Sequence, residues 1–366
     1  MSTVTTPTHG LPESDERGQA VIDLDIHEML PGVRALLPYL DDHWARYITD
    51  YNWPGVQTSW PYAVPTPRGA FRADAYPEDG QAAGSDLGLL QRQHLELHDV
   101  EVGICTGVMY ASSMQGWPEF ASALASAYND WNIENWLEKE PRLRGSVQVA
   151  HQDPVAAARE IDRVGAHPQM VQVFVHTVTE GHKPLGSPYY RPIFDAIERN
   201  DLVLAMHQGQ ATKTVYGYTN TFAEWHMAVP HASMSQLYGL IFNGIFDQYP
   251  NLRLVLLESG FSWLPHALWR MDEHYRAFRV ETPWLKQLPS EHVHERVRVS
   301  TQPREDITKE QFLGLVEMMG SDELIVYSSD YPHFDFDPPD RVLPPGLPPE
   351  LARKILYHNA KSLYRF

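Results

Sequence analysis

The chain has 366 residues, of which 43% are hydrophobic and 11% aromatic, so it is long enough to bury a large core. Its formal net charge of −18 disfavours nucleic acids and anionic membranes as partners. A single cysteine, Cys105, excludes an internal disulfide and zinc-finger chemistry.

The first 20 residues are rich in Thr, Ser, Gly and charged side chains, and they lack the apolar centre of a signal peptide. We interpret them as a flexible leader before a single domain that spans residues 21–366. No apolar stretch of 18 residues is present, so we expect no transmembrane helix. The cytoplasm is therefore the expected compartment.

From residue 21 onward, short apolar runs alternate with amphipathic segments. Several runs are rich in Val, Ile and Leu without polar alternation, which is typical of parallel strands buried on both faces. The predicted strands are Val21–Asp25, Glu101–Cys105, Gly145–Ala150, Met170–Val175, Leu202–Met206, Leu252–Leu257, Val297–Ser300 and Leu324–Tyr327.

The segments between these strands have the apolar spacing of helices. Asp153 and Thr308 are predicted N-caps, and Gly320 is a predicted helix stop. The predicted helices are Gln91–His98, Pro154–Val164, Tyr189–Arg199, Ser233–Gln248, Trp263–Phe278, Thr308–Met319 and Pro349–Arg365. This alternation predicts an α/β fold, the (β/α)8 TIM barrel, with a doubly wound open sheet as the alternative.

Two regions are longer than a minimal barrel needs. An insertion at about residues 30–90 is rich in Pro, Gly, Trp and Tyr, and residues 208–232 contain further aromatic and glycine residues, with His226 and His231 among them. Long loops in a compact domain are usually functional covers, so we expect aromatic-rich insertion loops at the C-terminal mouth of the barrel.

Aromatic covers of this kind predict a bulky, largely apolar small-molecule substrate. The candidates for the pocket walls are Trp53, Trp60, Trp117, Phe222 and Trp225. The alternative is that most of these rings only hold the loops onto the barrel. The long insertion is also compatible with a homo-oligomer, in which it would pack against another subunit.

Four predicted strands end at side chains that bind metals. Asp25 and His27 are two residues apart and so share one face of the first strand. His207, Glu258 and Asp330 end the fifth, sixth and eighth strands. Alone, each has an ordinary explanation, such as a hydrogen-bonded histidine or a helix cap. Together they predict a metal site, because buried charges need partners or a metal.

Several motifs then resemble a known family. The motifs that are similar to the amidohydrolase superfamily are Asp25-Ile-His27, the strand-end His207, the segment from Phe246 to Glu258-Ser-Gly260, the segment Ser-Ser-Asp330-Tyr-Pro-His333 and the terminal Asn359-Ala-Lys-Ser-Leu-Tyr. The resemblance is to the branch that includes aminocarboxymuconate semialdehyde decarboxylase. It implies a (β/α)8 barrel with a divalent metal at its mouth, held by Asp25, His27, His207 and Asp330.

The chain departs from the family pattern at three positions. The first strand carries Asp-x-His where His-x-His or Glu-x-His is usual, the sixth strand ends at Glu258 instead of His, and the fourth strand has no Lys to bridge two metals. More oxygen ligands favour iron or manganese, with zinc as the alternative. With Glu258 as a ligand the site would hold two metals; with Glu258 as a base or as the partner of a ligating His, it would hold one.

Two reactions fit this site. The favoured hypothesis is a metal-dependent hydrolase that activates water to cleave an amide, ester or thioester, with Asp330 moving the proton and His333 or Glu258 as further catalytic groups. The alternative is non-oxidative decarboxylation of an aromatic or unsaturated acid, which needs a cation for the departing carboxylate. The sequence offers only Lys213 and Arg304 for that role. A barrel that binds a ligand without catalysis is the third interpretation.

Overall fold

The computed structural model describes residues 20–55, 70–107, 117–178, 183–208, 213–214 and 217–366. The predicted leader therefore lies outside the described residues except for its last residue. So do Trp60 and part of the insertion at residues 30–90. No helix in the described ranges is long and apolar enough to cross a membrane.

Within the described ranges, eight parallel strands form one sheet in chain order, which confirms the predicted barrel. They are β1 (Val21–Ile26), β2 (Val100–Cys105), β3 (Leu143–Gln148), β4 (Met170–His176), β5 (Val203–His207), β6 (Arg253–Leu256), β7 (Val297–Ser300) and β8 (Ile325–Val326). The sheet closes because Leu24 of β1 donates its backbone N–H to the carbonyl of Tyr327, directly after β8. Every predicted strand is present, with ends that differ by at most two residues.

The apolar side chains of the strands form two layers. One buried cluster joins residues of six strands, including Leu24, Ala205 and Val255, with residues of the C-terminal helical segment such as Leu363. Because these strands lie around the whole sheet, this cluster fills the barrel interior. The other cluster packs the outer faces of the strands against the helices. Apolar residues buried on both faces explain why the strand sequences lack polar alternation.

The described part of the chain contains twelve α-helices, which surround or cover the barrel. They are α1 (Asp42–Asp50), α2 (Leu87–Leu90), α3 (Pro118–Asn132), α4 (Pro154–Val164), α5 (Arg191–Arg199), α6 (Phe222–Phe242), α7 (Ile245–Gln248), α8 (Leu264–Phe278), α9 (Pro289–Arg296), α10 (Lys309–Met319), α11 (Pro349–Arg353) and α12 (Asn359–Leu363). Single π-helical segments occur at Gln91–Leu95, Ile133–Leu137 and Lys354–His358, and 3-10 segments at Val33–Tyr39, Ala73–Ala75 and Pro188–Tyr190. A two-stranded hairpin joins Lys213–Thr214 to Gly217–Tyr218.

The prediction for residues 208–232 was wrong in its second half. The helix expected from Ser233 already begins at Phe222, where Thr221 caps it, and Pro230 lies inside it. His226 and His231 are therefore on a helix and not in a loop. Helix α10, in contrast, matches its prediction: Thr308 forms a capping box with Gln311, and Gly320 ends the helix at a φ of 71°.

Candidate active site

Strand β1 brings two of the predicted ligands to the barrel mouth. Asp25 and His27 are both buried, and His27 Nε2 lies 3.3 Å from Asp25 Oδ1. Thr106, directly after β2, donates its hydroxyl to the same carboxylate oxygen at 2.6 Å. The two side chains therefore point toward one another as the spacing of the motif predicts.

The C-terminal ends of β5 and β6 bring two further predicted ligands to the mouth. His207 Nε2 lies 2.9 Å from Glu258 Oε2 and 3.5 Å from Asp25 Oδ2. The Gln208 side chain donates to Glu258 Oε1 at 2.9 Å. Glu258 is thus in direct contact with a predicted ligand, a position that suits both a ligand and a partner of His207.

The segment after β8 supplies the third carboxylate. Asp330 Oδ1 lies 3.1 Å from His27 Nε2 and accepts a hydrogen bond from His333 Nδ1 at 2.7 Å. Gln302, which follows β7, donates to Asp330 Oδ2 at 3.3 Å. Among the described residues, two overlapping groups of ligand atoms lie within 4.8 Å of one another: Asp25, His27 and His207, and His27, Asp330 and His333. Glu258 belongs to neither group and joins the cluster through its contact with His207.

The donor atoms of this cluster fit a cation. Among the described residues, four buried atoms at its centre have no hydrogen-bond partner: Asp25 Oδ2, His27 Nε2, His207 Nε2 and Glu258 Oε2. Such atoms are costly to bury unless something satisfies them. Oxygen and imidazole nitrogen atoms from separate strands suit a divalent transition metal. The residues present therefore fit the metal that the sequence predicts, although their role as ligands stays a prediction.

The tautomers of the two histidines agree with this fit. His27 Nδ1 lies 2.7 Å from the carbonyl oxygen of Gly107, and His207 Nδ1 lies 2.7 Å from that of Gln208. A carbonyl oxygen only accepts hydrogen bonds, so each Nδ1 carries a proton. Whenever either ring is neutral, its lone pair is therefore on Nε2, which faces the carboxylates.

Burial and the attraction between carboxylates and imidazoles set the pKa values in the cluster. Burial would lower the pKa of His207, but Asp25 and Glu258 outweigh it and raise this pKa well above its usual range. Burial likewise acts against protonation of His333, yet Asp330 raises the pKa of His333 to about 9. Burial raises the pKa of Asp25, whereas His27 and His207 lower it to a net value of about 2. The cluster therefore attracts positive charge, either protons or a metal.

Two of the site residues have an unusual backbone conformation. Glu258 has a φ of 47° and Asp330 a φ of 60°, in the left-handed region that non-glycine residues rarely adopt. Such strain persists only where surrounding contacts enforce it, and it clusters at functional sites. The Asp330 N–H donates to the Asp25 carbonyl, which ties the strained residue to β1.

A second polar network leads from the site to helix α6. Asp335 accepts from Gln302 at 3.2 Å and lies 3.5 Å from His226 Nε2 on α6. Burial opposes protonation of His226, but Asp335 raises the net pKa of this histidine. Arg304, one of the two cationic side chains that the sequence offered at the mouth, lines a cavity together with His226 and Asp335. The Lys213 side chain lies outside the described residues.

Aromatic rings border the cluster. Phe71 stacks on His333 with ring centroids 4.9 Å apart, and Phe174 lies 5.3 Å from the His207 ring. Among the predicted wall residues, Phe222 stacks on His226 at 5.8 Å. Trp53 and Trp117 instead pack against Phe120 and its neighbours, as the alternative interpretation holds. Phe71 and Phe174 were missed because no ligand motif marks them.

Comparison with known families identifies the chain. A family model described as Amidohydrolase matches residues 22–366. The chain belongs to this amidohydrolase family. The resemblance drawn from the strand-end motifs is thereby confirmed.

Related proteins narrow the chemistry. The gamma-resorcylate decarboxylase of Rhodococcus jostii is 28% identical over 283 residues, which cover 72% of this chain and 82% of the relative. The crystal structure of 5-carboxyvanillate decarboxylase from Novosphingobium aromaticivorans, with manganese and 4-hydroxy-3-methoxy-5-nitrobenzoic acid, is 21% identical and has a TM-score of 0.67, covering 98% of this chain and 99% of that one. A dihydroxybenzoic acid decarboxylase from a Polaromonas species, with manganese and 2-nitroresorcinol, is 18% identical with a TM-score of 0.65, covering 94% and 96% of the two chains.

These relatives change the weight of the two hypotheses. They support an enzyme of the superfamily that uses a divalent metal, and they are decarboxylases. The hydrolysis favoured by the sequence analysis has no such support, and neither iron nor zinc is confirmed. The decarboxylase alternative is therefore better supported than the hydrolase.

Proposed function

We propose that this amidohydrolase-family protein is a metal-dependent enzyme that decarboxylates an aromatic acid without oxidation. The observation that carries the proposal is the Asp330–His333 pair: Asp330 Oδ1 lies 2.7 Å from His333 Nδ1 and 3.1 Å from Nε2 of His27, a further predicted ligand. A protonatable pair beside a cation site is what this reaction requires. The decarboxylase activity of the relatives supports the same conclusion.

Asp25, His27, His207 and Asp330 would hold the metal. When bound, it supplies the positive charge that attracts the substrate carboxylate and an adjacent oxygen. Manganese is the first metal to test, because two related crystal structures contain it. Iron is compatible with the oxygen-rich donor set, and zinc is the third choice.

The reaction replaces a carbon–carbon bond with a carbon–hydrogen bond. The bond between the ring carbon and the carboxylate breaks, its electron pair stays on the ring carbon, and carbon dioxide leaves. Asp330 and His333 together hold the proton that the ring carbon takes, and water then returns a proton to the pair. His333 is cationic when protonated. It therefore supplies the positive charge that the departing carboxylate needs.

The surrounding rings suit an aromatic substrate. Phe71 lies against His333, and Phe174 lies against His207 on the other side of the cluster. Flat apolar side chains of this kind bind aromatic rings and exclude water from the reacting carbon. The bulky, largely apolar substrate predicted from the sequence is thus proposed more narrowly as an aryl carboxylate.

This proposal predicts a pH profile. The pKa of His333 is raised to about 9, so the charged form exists below that pH and is lost above it. A bound metal on Asp330 opposes this shift, so we expect the rate to fall at or below about pH 9 as the pH rises. Steady-state kcat measured against pH tests this. His333→Gln should lower kcat by about 100-fold and flatten the basic limb; an unchanged limb in this variant would exclude His333 as its origin.

Hydrolysis is the second candidate, and Glu258 favours it. Its Oε2 atom is buried without a hydrogen-bond partner at 2.9 Å from His207 Nε2. A carboxylate in that position would bind a second metal or take a proton from an attacking water. The sixth strand is also where this chain differs from the usual family pattern.

Glu258→Gln separates the two candidates. Decarboxylation with one metal predicts one equivalent of manganese per chain in both wild type and variant, with only the rate lowered. A value of two equivalents that falls to one in the variant would instead make Glu258 a bridging ligand and favour hydrolysis. Plasma mass spectrometry on protein reconstituted with manganese and freed of excess metal gives the count.

A substrate screen tests the function directly. Manganese-loaded protein is incubated with hydroxylated benzoic acids, among them 2,6-dihydroxybenzoate, and with aryl esters and thioesters of matched size. We expect carbon dioxide release from at least one acid. Hydrolysis of an ester or thioester without any decarboxylation would replace the proposal with its alternative.

A further inference from the structure

We propose that Glu28 is a positioning residue of the metal site, which holds Gly107 so that Gly107 orients the His27 imidazole. The inference rests on the metal site proposed above but on no particular reaction. Glu28 follows His27 directly in the chain, and nothing in the family motif assigns it a role.

Gly107 connects Glu28 to His27, because its backbone N–H and its carbonyl oxygen each form a hydrogen bond to one of them. Glu28 is buried and accepts the backbone N–H of Gly107 on Oε2 at 2.9 Å. The carbonyl oxygen of the same glycine accepts the His27 Nδ1 proton at 2.7 Å. Glu28 therefore restrains Gly107 from one side while His27 binds it from the other.

Helix α3 anchors the carboxylate. Its other oxygen, Oε1, accepts the Tyr128 hydroxyl at 2.7 Å and the Asn132 side-chain amide at 2.6 Å. Burying a carboxylate is costly unless its oxygens are satisfied, and here three donors satisfy them. The carboxylate thus has a fixed position set by a long helix and a strand end.

The glycine is required at this point. Gly107 has a φ of 67°, and a Cβ atom added there would lie 2.5 Å from the Tyr128 hydroxyl oxygen. Only a residue without a side chain lets Glu28, Tyr128 and the backbone approach so closely. The geometry of Gly107 is therefore specified by the same helix that holds Glu28.

The function of this arrangement is to set the His27 tautomer. With its proton held on Nδ1, the ring presents the Nε2 lone pair to the position where a cation would bind. Partners of metal-binding histidines contribute to affinity in this way, and their loss typically weakens binding by about 10–100-fold.

The test compares variants of the whole chain by manganese affinity. Electron paramagnetic resonance measures free Mn²⁺ during titration of the metal-free protein. Glu28→Ala should weaken the Kd by about 10–100-fold. Glu28→Gln keeps an oxygen that accepts the Gly107 N–H, so it should restore affinity close to wild type. Glu134→Ala is the matched control, because Glu134 is an exposed glutamate that accepts the Tyr39 hydroxyl and has no contact with Gly107, so its Kd should equal that of wild type.

A second measurement reports the tautomer without metal. Nitrogen-15 NMR of the metal-free protein should show His27 protonated on Nδ1 in wild type and Glu28→Gln, and a mixture of tautomers in Glu28→Ala. If Glu28→Ala does not fold, Glu28→Asp serves instead, since it keeps the charge but withdraws it from Gly107 by one methylene.

The outcomes separate this inference from the metal site itself. An unchanged manganese Kd and an unchanged tautomer in Glu28→Ala or Glu28→Asp would overturn the positioning role. Lower thermal stability with unchanged affinity would show that Glu28 is only structural. A wild-type protein that binds no manganese would refute the metal site and leave the tautomer measurement to decide on Glu28.

Discussion

Asp330→Asn should lower kcat for the aryl acid by about 1,000-fold or more, because removal of a positioned proton donor alone costs about 100–10,000-fold. The amide cannot hold the proton that the ring carbon needs. It also places an uncharged group 3.1 Å from His27 Nε2 and next to the His333 Nδ1 proton. The measurement is steady-state turnover at saturating manganese, so that weaker metal binding does not hide the chemical step.

Asp340→Asn is the matched control for that variant. Asp340 lies on the same C-terminal mouth segment, but its side chain is 62% exposed and its ion-pair partner is the exposed Arg341. We expect full activity in this control and the same melting temperature in both variants. Activity of Asp330→Asn within about tenfold of wild type would remove Asp330 from the chemistry.

His207→Ala should lose manganese affinity by more than about 100-fold, since even the loss of a partner behind a ligand costs about 10–100-fold. The variant removes an Nε2 atom that faces both Asp25 and Glu258. Activity should then be absent at micromolar manganese and return in part at millimolar concentration. Free Mn²⁺ measured by electron paramagnetic resonance gives the affinity.

His231→Ala controls for the loss of a histidine. His231 is exposed on helix α6. It lies in the sequence region that was predicted to cover the mouth, but it is not part of the cluster of predicted metal ligands. Its manganese Kd should equal that of wild type. The circular dichroism spectrum of His207→Ala should also stay that of the folded barrel, because the barrel core lies below the site. Wild-type affinity in His207→Ala would contradict the assigned ligand set.

The parts of the fold that depend on local patterns were predictable. All eight strands lie in short runs rich in apolar residues, several of them without polar alternation. A run of that kind can be recognised without knowledge of its neighbours in space. Helix α10 was found at both ends, because Thr308 and Gly320 carry strong capping signals. The order of the strands followed from the alternation itself, since parallel strands need a crossover between them.

Other helices were missed although their start signals were present. Helix α1 begins after Asp41, whose side chain caps Trp44, and α3 begins with Pro118 at its first position. Both lie next to aromatic, proline-rich segments that indicate loops. Helix α6 was shortened because Pro230 normally ends a helix, yet here the helix continues through it.

The metal-binding side chains were found because they end strands, but their partners were not. Thr106 and Gln302 also follow strands and point to the cluster, so the same rule could have found them. The contacts of Glu28 with α3 depend on how a distant helix packs, which no local pattern reveals. The departure of Glu258 from the family pattern gave hydrolysis more weight than the related proteins support.

The most direct test of the central claim is to measure which carbon of the product receives a proton from the solvent. Manganese-loaded protein is incubated with an aryl acid in deuterium oxide, and NMR follows the product. With a hydroxylated benzoic acid as the substrate, metal-dependent decarboxylation predicts a phenol with one deuterium on the carbon that carried the carboxylate, no product after chelation, and recovery with manganese. Turnover that leaves every aryl acid unchanged while an ester or thioester is cleaved would contradict the account.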